Sequence, residues 1–323
     1  MRDDDVPAAP TGGDAEVSAG WSDPREPAAE MPHPARLAVG LVGAGRAGTA
    51  MAVALAKAGH RVVAASAVSQ ASLNRIAASL PQVPVLQPEH VVERADLALL
   101  TVPDDALGGL VSGLAATRVP MAGKLVAHAS GRHGLAVLDP VVAKGALPLA
   151  LHPAMTFTGR REDVARMAGV SFGVTAPVAL RPVAEVLVVE MGGEPVFIED
   201  DKRGLYHAAL ASAANHLVTL VAESADMLRT AGVADPASLL GPLLGAALEN
   251  ALSLGDAALT GPVARGDAET IAAHITAIKS AAPEALGAYL ALARLTAERA
   301  LAARTLAADD AQRLLGVLSG PTP

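Results

Sequence analysis

One stretch decides the fold of this chain: Leu41-Val42-Gly43-Ala44-Gly45-Arg46-Ala47-Gly48-Thr49-Ala50, which directly follows the apolar run that begins at Arg36. The pattern predicts a first strand, a glycine turn and a helix that ends near residue 58. Gly43 permits the tight turn, Gly45 lets the backbone approach a pyrophosphate, and Gly48 lets helix and strand pack closely. The helix start offers unpaired N–H groups and the positive end of its dipole to phosphates. The alternative is a chance glycine turn in an Ala/Gly-rich chain. The stretch therefore predicts a dinucleotide-binding loop with contacts from Gly43, Gly45, Arg46, Ala47 and Gly48.

Composition limits the class of protein and its partners. The 323 residues suffice for two domains; 51% are hydrophobic and only 2% aromatic, so the core must consist of Ala, Val and Leu. The net charge of -8 and the lack of any basic segment argue against a nucleic-acid partner. The chain has no cysteine, and no His/Asp/Glu spacing suggests a metal site. No long uncharged apolar run suggests a membrane span, so we expect a soluble, cytoplasmic protein.

The chain divides into three regions. Residues 1–34 combine acidic residues, glycines and prolines with almost no aliphatic periodicity, so we interpret them as a disordered tail rather than a signal or transit peptide. Residues 35–199 alternate strand and helix patterns, which predicts a doubly wound α/β sheet of the Rossmann type. Residues 200–319 show helical patterns alone and predict an all-α domain that closes over the substrate.

The same periodicities predict the individual elements. The predicted strands cover residues 36–42, 61–65, 83–86, 96–102, 124–127, 147–151, 170–175 and 195–198. In the first domain, predicted helices follow the glycine loop up to residue 58, cover 69–80, 88–94 and 177–191, and follow residue 103 up to about residue 114. In the second domain they cover 200–231, 236–254, 267–280 and 283–304, with a short final helix.

The end of the second predicted strand bears on the choice of nucleotide. NAD-binding sites usually place an acidic residue there to hold the ribose 2′-hydroxyl, whereas residues 65–70 contain no acid. Ser66 and Ser69 can donate hydrogen bonds to a 2′-phosphate, and Arg75 is the nearest cation. The segment therefore favours NADP over NAD as the cofactor, unless this loop simply faces solvent.

Three segments carry side chains that suit hydride transfer to a carbonyl or imine, which needs a hydrogen-bond donor aimed at the developing negative charge. His152 follows an apolar strand, where the carboxyl ends of a sheet bind ligands. Lys202 begins the first helix of the second domain, with His207 and Asn215 behind it. Arg265 lies in a turn-rich loop between helices and suits an anionic substrate.

An ideal helix over residues 200–231 limits how these side chains combine. Lys202 and Tyr206 would share a face, whereas Asn215 would lie about 140° from Lys202 and about 20 Å further along the axis. Asn215 pairs better with His207, about 80° away, so one of these residues is structural, or the helix starts late or bends. Both Lys202 and His152 also have a purely structural alternative. Lys202 can pack over the boundary between the two domains, and His152 can be a turn histidine before proline.

Several segments together resemble a known family, the Rossmann-like proteins with a C-terminal domain of unknown function 2520. The resemblance extends over nearly everything from Arg36 to Leu318. The segments that carry it are Gly43–Gly48, Thr101-Val102-Pro103-Asp104-Asp105-Ala106-Leu107, His128-Ala129-Ser130-Gly131, Leu151-His152-Pro153, Lys202-x-x-x-Tyr206-His207-Ala208-Ala209, Asn215-His216-Leu217-Val218 and Leu259-Thr260-Gly261-Pro262-Val263-Ala264-Arg265-Gly266-Asp267.

The resemblance implies the architecture of the 6-phosphogluconate dehydrogenases: a dinucleotide domain followed by an all-helical domain through which two copies form a homodimer. It also implies similarity to NADP-dependent reductases of small carboxylates, among them the alternative ketopantoate reductases of pantothenate synthesis. The nicotinamide is then expected near Val102, Pro103, Asp104, Ser130 and Gly131.

The resemblance also assigns roles to the candidate donors. His152 matches the histidine that bonds the reacting oxygen in prephenate dehydrogenases. Lys202 matches by position the lysine that assists the carbonyl in β-hydroxyacid dehydrogenases and ketopantoate reductases, and it is the favoured donor because it falls where the two domains meet. Family members often carry Ser-Arg after the second strand, where this chain has Ala67-Val68, and this departure weakens the preference for NADP.

We therefore expect an NADP-linked oxidoreductase that reduces a small 2-oxo acid, with ketopantoate as the leading candidate. Lys202 or His152 donates to the carbonyl oxygen, while Asn215, His207 and Arg265 bind the substrate. Two alternatives stay open: a prephenate- or imine-type dehydrogenase or reductase, and a nucleotide-binding sensor or partner protein without turnover. The presence of both Lys202 and His152 favours an enzyme, because a sensor needs only the glycine loop.

Overall fold

A computed structural model describes residues 36–319 of the chain. Its first part is a seven-stranded sheet in the order β2-β1-β3-β4-β5-β6-β7. All neighbouring strands are parallel except β5 and β6, which are antiparallel. The strands are β1 Ala38–Val42, β2 Arg61–Ser66, β3 Leu97–Leu100, β4 Leu125–His128, β5 Leu147–Pro153, β6 Ser171–Thr175 and β7 Glu194–Phe197. The predicted tail, residues 1–34, lies outside the described residues.

Helices cover both faces of the sheet, which confirms the predicted doubly wound α/β class. On one face, α1, α2 and α7 pack over a core that contains Leu55 and Phe172. On the other face, α3, α4 and α5 pack over a core that contains Val91 and Val111. The helices of this part are α1 Arg46–Lys57, α2 Gln70–Ser79, α3 Pro88–Arg94, α4 Asp104–Ala116, α5 Asp139–Val142, α6 Glu162–Arg166 and α7 Arg181–Glu190.

The predicted strand at residues 83–86 is wrong in its extent. Only Val85 forms a bridge, with Ala65 of β2. The backbone N–H of Ala65 donates to the Pro84 carbonyl at 3.0 Å, and the N–H of Leu86 donates to the Ala65 carbonyl at 2.9 Å. Pro84 has no N–H with which to extend the ladder, so this edge of the sheet ends in a single bridge.

The second part of the chain is entirely helical within the described residues. Helices α11 to α14 enclose a core that contains Ile271, Leu290 and Leu314. Helices α9 and α10 contribute almost nothing to a core, because α9 buries no residue and α10 buries only Pro236 and Leu240. The helices are α8 Arg203–Ala211, α9 Leu217–Thr230, α10 Pro236–Leu254, α11 Gly261–Ala264, α12 Ala268–Ala281, α13 Leu286–Ala302 and α14 Ala308–Leu318.

The predicted single helix over residues 200–231 is divided into four parts. A 3-10 turn, Asp200–Lys202, precedes α8, and a π-helical segment, Ser212–His216, separates α8 from α9. A π segment adds a residue to the helical turn and rotates every following side chain relative to those before it. The helix therefore both starts late and changes its winding.

Two helical stretches have the length and composition of membrane-crossing helices, although no membrane span was predicted. They are Asp200–Thr230 and Pro236–Ala264, and their most apolar windows are 0% and 6% buried, respectively. Length and apolar composition are weak grounds for a membrane span, since helices at a protein–protein interface share both properties.

Candidate active site

The glycine loop between β1 and α1 has the shape that the sequence predicts. The N–H groups of Gly43 and Ala44 donate to the Ser66 carbonyl at 3.1 and 3.0 Å, which ties the loop to the end of β2. Gly43 has a φ of +91°, and a Cβ there would lie 2.8 Å from Val102 Cγ1. Only glycine fits this turn, because the backbone is left-handed and the space is filled.

Gly48 and Gly45 differ in what surrounds them. A Cβ at Gly48 would overlap the Thr101 side chain, so this glycine lets α1 pack directly on the end of β3. A Cβ at Gly45 would meet nothing closer than 3.8 Å, so the protein leaves space there. Helix α1 has no side-chain cap and no acidic residue in its first turn. The loop therefore presents open backbone N–H groups to an anion, which fits a dinucleotide pyrophosphate.

The other expected cofactor positions lie at the same edge of the sheet. The parallel strands β1, β3, β4 and β5 all end there. Thr101 Oγ1 donates to the Gly43 carbonyl at 2.5 Å, which brings the segment after β3 against the glycine loop. Pro103 is the N-cap residue of α4, and Asp104 is its first residue.

A buried histidine shapes the turn that follows β4. His128 is 1% exposed; its Nε2 lies 3.0 Å from the Gly134 carbonyl, and its Nδ1 accepts the N–H of Ser130 at 3.2 Å. Burial lowers the pKa of His128 to about 4, against the raising effect of the Gly134 hydrogen bond. A neutral imidazole with its hydrogen on Nε2 satisfies both contacts. His128 therefore positions Ser130 and Gly131 at the sheet edge.

Arg75 reaches the glycine loop from α2. Its Nε donates to the Ala44 carbonyl at 3.3 Å, and its Nη2 donates to Ser72 Oγ at 2.8 Å. Ser69 caps the start of α2 through the Ser72 N–H at 3.2 Å. This cation thus lies between the glycine loop and the acid-free segment after β2.

Three side chains from β5 and α8 form a cluster beside Gly131. His152 Nδ1 lies 2.9 Å from the Tyr206 hydroxyl, and the His152 and His207 ring centroids are 6.0 Å apart. A Cβ at Gly131 would lie 2.5 Å from His207 Cδ2 and 3.0 Å from His152 Nε2. Gly131 therefore lets both imidazoles approach the chain at the end of β4.

Arg203, which the sequence analysis did not identify, joins the helical part to the sheet. Its side chain is fully buried, and Nη2 donates to the Ser130 carbonyl at 2.6 Å. Nη1 donates to Thr175 Oγ1 at 3.0 Å and to the Gly173 carbonyl at 3.3 Å. A charged residue at a helix start predicts exposure, so no sequence signal indicated this burial.

Burial sets the protonation state of the cluster. Desolvation and, to a smaller extent, the neighbouring Arg203 together lower the pKa of His152 to about 4. Desolvation also raises the pKa of Tyr206, while the nearby Arg203 lowers it. His152 is therefore a neutral imidazole at neutral pH, bonded to a protonated Tyr206.

A cleft of about 450 Å³ opens beside His152. Asn215 lies in the π segment and lines the cleft together with His207, so two of the predicted substrate-binding residues meet there. This agrees with the ideal-helix spacing, which pairs Asn215 with His207 rather than with Lys202. Segments of π-helix frequently occur at functional sites. The cleft is lined by His152, Ala154, Met155, Thr156, His207, Leu210, Ala211, Ala213, Ala214 and Asn215.

Lys202 and Arg265 do not line this cleft. Lys202 Nζ is bonded to Asp201 at 2.5 Å, its side chain is 66% exposed, and the hydrogen bond to Asp201 raises its pKa. Arg265 is an exposed residue at the end of α11. The structure thus separates the favoured donor, Lys202, from the residues around His152.

Two protein-family models match the chain. The Rossmann-like domain matches residues 23–153, and the domain of unknown function (DUF2520) matches residues 170–296. The fold and the glycine loop define the class of Rossmann-type proteins with a helical C-terminal domain. Within that class, the chain belongs to the family that combines a Rossmann-like domain with the domain of unknown function 2520, as the resemblance implied.

Solved structures share the fold at low sequence identity. Protein BF3122 from Bacteroides fragilis is 20% identical with a TM-score of 0.68, over 81% of this chain and 98% of that one. Protein TM1727 from Thermotoga maritima is 19% identical with a TM-score of 0.60, over 82% and 99%. A reductive aminase from Aspergillus terreus, solved with NADPH and ethyl levulinate, is 19% identical with a TM-score of 0.60, over 87% and 99%. No curated protein sequence matches the chain.

Proposed function

We propose that this protein is an NADP-dependent oxidoreductase that reduces a small carbonyl or imine compound. The observation that carries the proposal is the cleft beside His152, which lies at the same sheet edge as the open glycine loop. A nucleotide sensor has no need of a half-buried His–Tyr pair beside the nucleotide site. The reductive aminase that shares the fold was solved with NADPH, which agrees with this class of chemistry.

NADPH, when bound, supplies the hydride, and the side chains around His152 supply hydrogen bonds and a proton. If the Tyr206 hydroxyl donates to His152 Nδ1, the imidazole carries its own hydrogen on Nε2, beside Gly131. His152 then donates its Nε2 proton to the oxygen or nitrogen atom that gains negative charge, and its Nδ1 takes the Tyr206 proton, so the ring stays neutral and the negative charge ends on the tyrosine oxygen. The Arg203 guanidinium lies 5.9 Å from the centre of the Tyr206 ring, and its positive charge stabilises negative charge on the oxygen of that tyrosine. We assign His207 and Asn215 to substrate contacts.

Two substrate classes follow from different observations. The resemblance implies a 2-oxo acid such as ketopantoate. The cleft, however, is lined mainly by alanine, leucine and methionine, and its lining contains neither lysine nor arginine. A carboxylate substrate finds no cation in this lining to offset the cost of losing its hydration, whereas a neutral ketone or imine packs against the apolar wall without that cost. An imine-type reductase is therefore the second candidate.

The cofactor proposal rests on the end of β2. No acidic side chain follows that strand, and Arg75 lies against the glycine loop, where a 2′-phosphate would gain a charge-assisted hydrogen bond. We therefore propose NADP rather than NAD, in spite of the departure at Ala67-Val68.

NADPH consumption by the purified protein tests the activity. The panel consists of 2-oxo acids, including ketopantoate, and of ketones with and without a primary amine. We expect oxidation of NADPH with at least one panel member and no oxidation without substrate. If NADPH binds but no panel member is reduced, the hypothesis of a nucleotide sensor replaces the hypothesis of an enzyme. Amine-dependent turnover would identify the imine class.

We propose that the apolar helices cover each other in a homodimer. Val218, Leu243 and Leu252 are 70%, 60% and 81% exposed on α9 and α10. Leu243 and Leu252, nine residues apart, lie on opposite faces of α10, and a helix that is apolar all round is normally buried against a partner. Glu223 and Asp226 interrupt the first of the two long stretches, which makes a membrane a poor partner and a second copy a better one. We accordingly propose a soluble, cytoplasmic dimer.

Sedimentation equilibrium of the wild-type protein is expected to give twice the chain mass of 32.4 kDa. The L243E/L252E double variant should shift to the monomer mass, because two charges would enter the apolar interface. Val178→Glu, at a position 79% exposed on the first part of the chain, is the matched control and should stay dimeric. A wild-type protein that sediments as a monomer at micromolar concentration would contradict the proposal.

A further inference from the structure

A second cavity lies on the outer side of α1, away from the cleft beside His152. It has a volume of about 180 Å³ and is enclosed by α1, α2 and the segment from 159 to 164. Its α1 residues run from Arg46 through Thr49 to Lys57, which spans about 16 Å along the helix axis. The cavity therefore begins at the glycine loop and extends down the helix, beyond the sheet edge that the dinucleotide would follow.

The cavity is strongly basic. Five cations line it, and no acidic residue does. Among residues 36–319, none of the five forms a salt bridge with a carboxylate. A neighbouring depression shares three of these arginines and adds one acid, Glu162. The cations are Arg46, Lys57, Arg75, Arg160 and Arg161.

A buried carboxylate fixes the backbone turn that carries two of the arginines. Asp163 is 1% exposed and accepts hydrogen bonds from Thr158 Oγ1 at 2.9 Å and from the Gly159 N–H at 2.7 Å. Gly159 adopts a φ of +83°, and a Cβ there would lie 3.1 Å from Arg46 Cγ. The turn is thus closed on itself and packed on Arg46, which fixes the backbone that carries the exposed Arg160 and Arg161 side chains beside the cavity.

Thr49 supplies an unused hydrogen-bonding group. The residue lines the cavity and is 5% exposed, and its Oγ1 has no hydrogen-bond partner within the described residues. A buried hydroxyl without a partner is costly, and a ligand atom in the cavity would relieve that cost.

We propose that this cavity is a phosphate-binding site. Several arginines with planar donor groups, one lysine and one hydroxyl donor suit a phosphate group better than a carboxylate, which has fewer acceptor oxygens. The phosphate can belong to a free phosphorylated molecule or be the 2′-phosphate of NADP, since Arg46 and Arg75 border both the cavity and the glycine loop. The site does not depend on the proposed oxidoreductase activity.

Isothermal titration calorimetry tests the proposal. The titrants are inorganic phosphate, NADPH and NADH, all at constant ionic strength. The variants are R160Q/R161Q and the control R118Q/K144Q, which removes two exposed charges from residues that do not line the cavity. We expect phosphate to bind the wild-type protein and the control alike, and to bind R160Q/R161Q roughly tenfold more weakly or worse. Unchanged thermal midpoints without phosphate would show that the variants fold normally.

The remaining titrations identify the source of the phosphate. If NADPH displaces phosphate, and R160Q/R161Q weakens NADPH but not NADH, the cavity holds the 2′-phosphate. If the NADPH-saturated protein still binds phosphate, the ligand is a separate molecule. Absence of phosphate binding in the wild type, or equal loss in the control, would overturn the proposal, while the activity test of the oxidoreductase would be unaffected.

Discussion

Replacing His152 by asparagine is expected to lower kcat on the best substrate roughly 100-fold to 10,000-fold, which is the contribution of a general acid. Asparagine has a similar shape but cannot connect the Tyr206 hydroxyl to the substrate through a ring with two nitrogens. The dissociation constant of NADPH should stay unchanged, because His152 belongs to the cleft rather than to the glycine loop. Steady-state kinetics and a cofactor titration measure the two quantities.

Lys202→Ala is the decisive comparison for that result. Its ammonium group is paired with Asp201 on the surface, so we expect kcat to change by no more than about twofold. The kcat of Tyr206→Phe should lie between those of the other two variants, because this change removes the hydroxyl partner of His152 and leaves the imidazole. A large loss of kcat in Lys202→Ala with near-normal turnover in His152→Asn would restore the lysine as the donor.

Gly45→Asp is expected to abolish detectable binding of both NADPH and NADH. The space at Gly45 is bounded by protein atoms no closer than 3.8 Å, so the side chain fits the empty loop and occupies the position of the pyrophosphate. Its negative charge also repels the phosphates at the helix start. Binding is measured by the fluorescence change of the reduced nicotinamide.

The control for Gly45→Asp is Gly109→Asp, which adds the same charge at an exposed position of α4 with no atom within 4 Å of a new Cβ. It should bind both nucleotides as the wild type does. Equal thermal midpoints in the two variants would show that Gly45→Asp still folds, so that its loss of nucleotide binding is not a loss of folding. If Gly45→Asp binds NADPH normally, the glycine loop is not the nucleotide site.

Local periodicity was sufficient to predict the seven strands of the sheet. Central strands such as β3 and β4 are continuous apolar runs, and parallel strands buried on both faces have this pattern. The segment at 83–86 has a strand-like composition, but Pro84 limits it to one bridge, an effect that depends on the neighbouring strand. Helices α5 and α6 are four and five residues long, too short for a periodic signal.

The candidate site was predictable only where local geometry determines it. The roles of Gly43 and Gly48 follow from the turn itself and agree with the structure. Ideal helical spacing already pairs Asn215 with His207, which line the same cleft, whereas the π segment that contains Asn215 has no sequence signature. The burial of Arg203 depends on carbonyls of Ser130 and Gly173, which are far away in sequence. Tertiary contacts of this kind are invisible to periodicity.

A titration of the wild-type protein with NADPH and with NADH tests the central claim most directly. The account predicts that both bind at the glycine loop and that NADPH binds roughly tenfold more tightly, because the 2′-phosphate gains a charge-assisted hydrogen bond beside Arg75. A clear preference for NADH, or the absence of binding by either nucleotide, would contradict it.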